Sequence, residues 1–80
     1  MKNTHESAER NVIGKRLRQI RLSRKPGVTL EDLAGRLAAR GVRLDRSAIG
    51  RIENQNRYVL DYELKALAEA LRVTVADFFS

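Results

Sequence analysis

Cysteine and tryptophan are both absent from this chain of 80 residues, which holds a single proline and a single histidine. Without cysteine there is neither a disulfide framework nor a thiolate metal site. The pattern fits a reducing cytosol. No apolar run approaches the ~18 residues that would cross a membrane. The first ten residues, MKNTHESAER, contain no hydrophobic segment of the secretory kind. The lone histidine, His5, lies in this polar stretch, which reads as a flexible arm over residues 1–10. Catalytic constellations are missing too. There is no Gly-rich phosphate loop, and the adjacent Glu31 and Asp32 share one turn of a helix without facing each other. An enzyme is not expected, nor a metal or a cofactor.

Acidic residues are the scarcer charge, 10 against 16 basic ones, for a net charge of +6. The excess is segregated. Residues 10–57 hold thirteen Lys and Arg against four Asp and Glu, whereas residues 58–80 are net acidic. Charge gathered on one part of a small domain is the electrostatic footprint of a polyanion-binding face.

The chain is organised around residues 29–53. Leu30, Leu33, Ala34 and Leu37 form the i, i+3, i+4, i+7 stripe of an amphipathic helix. Thr29 caps that helix and Asp32 reaches back, an acidic variant of the capping box. A further helix begins at Asp45, a good N-cap, and buries Ala48, Ile49 and Ile52. Between the two lies either a real loop or, as the good helix formers Ala38, Ala39 and Arg40 favour, an extension of the first helix by about a turn that Gly41 stops.

Ahead of this pair, Asn11 caps a helix running from about Val12 to Ser23 or Arg24, with Ile13, Leu17 and Ile20 buried. Gly14 costs about 1 kcal/mol inside a helix, so it marks close packing or fraying. Pro26 and Gly27 supply the turn that follows. Val28 packs as a staple before Thr29. After the pair, a fourth helix runs from about Asp61, its cap, to Leu71, with Leu64, Leu67, Ala68 and Leu71 inward. The run Thr74 to Asp77 is another cap signature, opening a fifth helix that carries Phe78 and Phe79. The fold class is therefore all-α, five helices in one domain over residues 11–80. Either both phenylalanines pack internally, or one closes the core and the other is left for a second copy of the chain.

The outward side of the third helix carries Arg46, Ser47, Gly50, Arg51 and Asn54 in one arc. Arginine and asparagine pair bidentately with guanine and adenine edges in the major groove. Arg46 and Arg51 are the candidate base readers, with Ser47 and Asn54 assisting. Gly50 lets the helix backbone come close. Thr29 presents its hydroxyl and a helix N-terminus to a phosphate. Arg43, Asn56 and Arg57 suit phosphate oxygens, which fix register without reading sequence.

In its order and spacing of Thr29, Leu33–Ala34, Asp45 to Glu53, Leu64, Leu67–Ala68, Leu71, Val73 and Asp77, the chain resembles the phage repressor/Cro-type helix-turn-helix family. The resemblance runs from about Val12 to Phe79. It implies that the helix over residues 45–53 enters the major groove of double-stranded DNA. It also implies an ion pair between Arg21 and Glu53 that braces the first helix against the third. The chain departs from the family in its longer connection over residues 38–44. It departs again at Leu30, where many members carry a DNA-contacting glutamine; that contact is not carried over. The expected function is that of a small bacterial or phage transcriptional regulator, cytoplasmic and nucleoid-associated, binding as a homodimer through the Phe78/Phe79 region. The alternative on the same fold is a protein-interaction module, such as a coactivator bridge or an antitoxin.

Overall fold

A computed structural model describes residues 9–80. The arm expected over residues 1–10, with His5, falls almost wholly outside the described residues. Among the described residues there are four α-helices, α1 (Gly14–Ser23), α2 (Leu30–Ala38), α3 (Arg46–Glu53) and α4 (Asp61–Leu71), followed by a 3-10 helix, Val75–Phe79. The expected fifth α-helix is thus corrected. Thr74 and Asp77 form the anticipated capping box. The five residues that follow Thr74 wind as i→i+3 turns, the form short helical pieces take. Phe78 is driven into the core and Phe79 out of it.

Helix α3 packs against both α1 and α2, and α4 packs against α2 and the 3-10 helix. Their shared core is built on Leu17, Leu33, Leu37, Ile49, Ile52 and Leu67, all essentially inaccessible to solvent. Each such side chain contributes about 1.5–3 kcal/mol on burial. Most core positions read from periodicity are inside, but Leu30, Ala34 and Leu64 are only partly buried and pack against its edge. Val42, Leu44, Ala66 and Ala70 are inside as well.

Helix α1 begins two residues later than its apolar stripe suggests. Its N-cap position is Ile13, which offers no side-chain bond, and not Asn11 as expected. Asn11, two residues earlier, still accepts at Oδ1 from the N–H groups of Ile13 and Gly14. Gly14 is a close-packing residue. A Cβ there would run into the Ile52 carbonyl oxygen and lie 2.9 Å from that of Glu53. The start of α1 therefore crosses directly over the end of α3.

The long connection between α2 and α3 is mostly helix end. Regular helix stops at Ala38. The Gly41 N–H then bonds the Ala38 carbonyl and the Val42 N–H bonds that of Leu37. Gly41 sits at φ 78°. This is a Schellman motif, with glycine in the left-handed position and Val42 folded inward behind it. Only residues 42–45 are left to reach α3, and Val42 and Leu44 point into the core. Asp45 then caps α3 by accepting from the Ala48 N–H at 2.8 Å.

The same hydrogen-bond pattern ends α3 at Gln55 (φ 63°) and α4 at Arg72 (φ 59°), without glycine at either position. Helix α4 opens differently from expectation. Leu60 is its N-cap residue, with Asp61 the first helical residue, and the Glu63 carboxylate accepts from the Leu60 N–H. A leucine has no side-chain acceptor to offer a cap, so Glu63 supplies the bond from inside the helix.

Candidate nucleic-acid interface

Helix α3 is eight residues long and presents two opposite faces. Ala48, Ile49 and Ile52 are buried, while Arg46, Ser47, Arg51 and Asn54 are exposed. The side chains of Arg51 and Arg43 make no hydrogen bond or ion pair among the described residues. Gly50, between the two arginines in the arc, is half-buried. The nearest atom to a Cβ built there is the Leu30 Cδ1 at 3.9 Å, an ordinary contact. Nothing inside the protein requires a glycine at this position, in contrast to Gly14.

Arg46 is lightly held. Its Nη1 lies 3.3 Å from the Glu31 Oε1 on α2, and both side chains are more than two-thirds exposed. Thr29 caps α2 as expected, its Oγ1 accepting from the Asp32 N–H while Asp32 accepts from the Thr29 N–H, each at 3.0 Å. The Thr29 N–H, followed by the Thr29 hydroxyl, holds the Asp32 carboxyl below the ordinary aspartate range. Thr29 itself is exposed at the positive end of α2. Asn56 is exposed.

The brace beneath this face is the Arg21–Glu53 pair. Arg21 Nε meets Glu53 Oε2 at 2.7 Å and Nη2 meets Oε1 at 3.0 Å, a bidentate geometry with both side chains buried. The remaining nitrogen, Nη1, donates to the Val28 carbonyl at 2.9 Å. One guanidinium thus ties α1, the α1–α2 turn and the last residue of α3.

The end of α3 is clasped from a second side. Asn11 Nδ2 donates to the carbonyls of Ile52 and Arg57, and Gln55 Nε2 donates to the Asn11 carbonyl. The Arg10 N–H bonds the Gln55 carbonyl at 2.7 Å. The Arg10 guanidinium lies over the Tyr58 ring, 5.4 Å from its centre, within cation–π range.

Several basic residues counted toward a polyanion face are spent inside the fold. Arg57, expected on a phosphate, forms a two-pronged pair with the buried Glu63 carboxylate at 2.9 and 3.1 Å and also donates to the Tyr58 carbonyl. This pair holds Glu63 below the ordinary glutamate range and raises the Arg57 guanidinium further. Arg24 and Arg36 donate to the carbonyls of Leu71 and Ala70, at 2.6 and 3.1 Å. They satisfy acceptors that the end of α4 leaves open and place positive charge at its negative pole. Arg16 donates to the Asp77 carbonyl. The Glu63 spacing from Leu60 was the one local signal of any of this. The rest joins residues far apart in sequence.

Similarity to solved structures now decides the family. The restriction-modification controller protein C.AhdI from Aeromonas hydrophila is 33% identical, over 84% of this chain and 87% of its own, with a TM-score of 0.71. The chain belongs to the helix-turn-helix family. The DNA-binding domain of BldD is 26% identical over 90% of this helix-turn-helix chain and 96% of its own, with a TM-score of 0.68. No family model and no curated sequence matches it. Residues 39–45 connect α2 to α3. Among the described residues no helix is long and apolar enough to cross a membrane, and no group of three metal-ligating side chains occurs.

Proposed function

We propose that this chain is a sequence-specific double-stranded DNA-binding regulator of the phage repressor/Cro type, with α3 as its recognition helix. One observation carries the reading. The outward face of α3 holds Arg46 and Arg51 in solvent around a glycine that no internal packing explains. A duplex edge pressed against the α3 backbone is what such a glycine accommodates. Arg46 and Arg51 read bases, Ser47 and Asn54 assist, and Thr29, Arg43 and Asn56 bond phosphates. Arg57, committed to Glu63, steadies the loop after α3 rather than acting chiefly on DNA. Both similar solved structures, a restriction-modification controller and a DNA-binding domain, support the same reading.

The chain acts as a homodimer in the bacterial cytoplasm, on the nucleoid. Phe78 belongs to the core, so the C-terminal contact falls to Phe79. Selection from a pool of randomised duplexes tests the whole proposal. An inverted repeat is expected, with half-sites about one helical turn apart. Enrichment of no sequence, with binding that vanishes in moderate salt, would overturn it and favour a protein-interaction module.

A further inference from the structure

Four acids lie among residues 10–57, and three have tasks inside the fold. Asp32 closes the α2 capping box, Asp45 caps α3 and Glu53 holds Arg21. Glu31 has none of these. It is exposed on the first turn of α2, and its one bond among the described residues is to Arg46. A carboxylate at the edge of a face meant for phosphates repels the ligand and calls for an explanation. Its position near the N-terminus of α2 suits the helix dipole, but Asp32 already occupies that turn.

We infer that Glu31 is a positioning residue that sets the specificity of Arg46. The inference rests on the DNA-binding reading above. Glu31 takes only the Nη1 edge of the guanidinium. The parallel Nε and Nη2 hydrogens stay free, and that edge matches the N7 and O6 acceptors of guanine. Held so, Arg46 approaches the groove already turned for a bidentate contact, and less side-chain freedom is lost on binding. On a wrong base pair the same tether matters more. A free arginine swings to the nearest phosphate and adds affinity for any sequence. Arg46 paired with Glu31 is neutralised and confined, and the carboxylate penalises close phosphates. An exposed pair is weak on its own account, so its effect is on discrimination and not on folding.

The test uses the full chain with Glu31→Gln and Glu31→Ala, in competition binding against the selected site and against duplexes altered at the base pair that Arg46 reads. That base pair is located by comparing motifs selected by the wild type and by Arg46→Ala. Both Glu31 variants are expected to bind the altered duplexes about two- to five-fold more tightly than wild type does, with no gain at the selected site. Discrimination then drops at that one base pair. In an Arg46→Ala background the Glu31 substitution should move all duplexes together. Unchanged discrimination, or an equal loss on every duplex, overturns the inference while leaving DNA recognition standing. Absence of any motif for the wild type removes both.

Discussion

Arg21 and Arg51 carry the same guanidinium, and the fold treats them in opposite ways. Arg21 is enclosed, with each of its three nitrogens bonded within the protein. Arg51, one turn before Asn54 on α3, stands in solvent without a partner among the described residues. Between these extremes lie Arg57, half-buried and tied to the buried Glu63, and Arg46, resting on Glu31. Net charge counts all four alike. What separates them is how many acceptors of the folded chain reach them and how deeply those acceptors are buried. The lesson is that a basic sequence is an upper bound on a basic surface. Arginine serves first as a cross-strut in a domain too small for a large core, and only the remainder is left for a polyanion.

The comparison breaks hardest at the buried extreme. Glu53→Ala strands the Arg21 charge and should cost about 3–5 kcal/mol, read as a drop in the midpoint of urea unfolding. If the domain melts unchanged, Arg21 is no strut. Next is Arg57→Ala, expected to cost about 2–3 kcal/mol by leaving Glu63 buried without its partner. Here pH sharpens the result. The lowered Glu63 pKa means that its contribution is present in full above the ordinary glutamate range. It fades as pH falls through the lowered value. The gap between wild type and Arg57→Ala should therefore narrow in acid, as both come to carry a neutral Glu63.

Arg51→Ala belongs to the other extreme. Stability should stay within about 0.5 kcal/mol, while discrimination at one base pair falls by about 1–3 kcal/mol. A loss spread evenly over all sequences would make Arg51 a phosphate contact. The smallest effect concerns Gly50. With room for a Cβ, Gly50→Ala should raise stability by about 0.5–1 kcal/mol and yet weaken binding to the selected duplex. A variant both steadier and equally tight on DNA would remove the case for close approach there.

The helices were legible in the sequence because their signals are local. The stripes of Leu30, Leu33 and Leu37 and of Ala48, Ile49 and Ile52, together with the Thr29, Asp45 and Thr74 caps, need only a few neighbouring residues to define them. Gly41 as the stop of α2 belongs with these. The outward arc of α3 was legible for the same reason. The destinations of Arg24, Arg36 and Arg57 were not, since each depends on which helix end the folded chain brings near. The Arg21–Glu53 pair was reachable only through family resemblance. The 3-10 form of the last element and the entry of Val42 and Leu44 into the core were settled by packing against α1, α2 and α4, beyond the reach of periodicity.

The clasp formed by Asn11, Gln55 and Arg10 also bears on how the protein is handled at the bench. Because the Arg10 N–H is fastened to Gln55 at the foot of α3, a label attached at residue 10 itself sits beside the helix proposed to enter DNA. A purification tag or fluorophore attached there is planted at the interface and will contend with the duplex for the same space. Measurements of affinity are better made with labels elsewhere on the molecule.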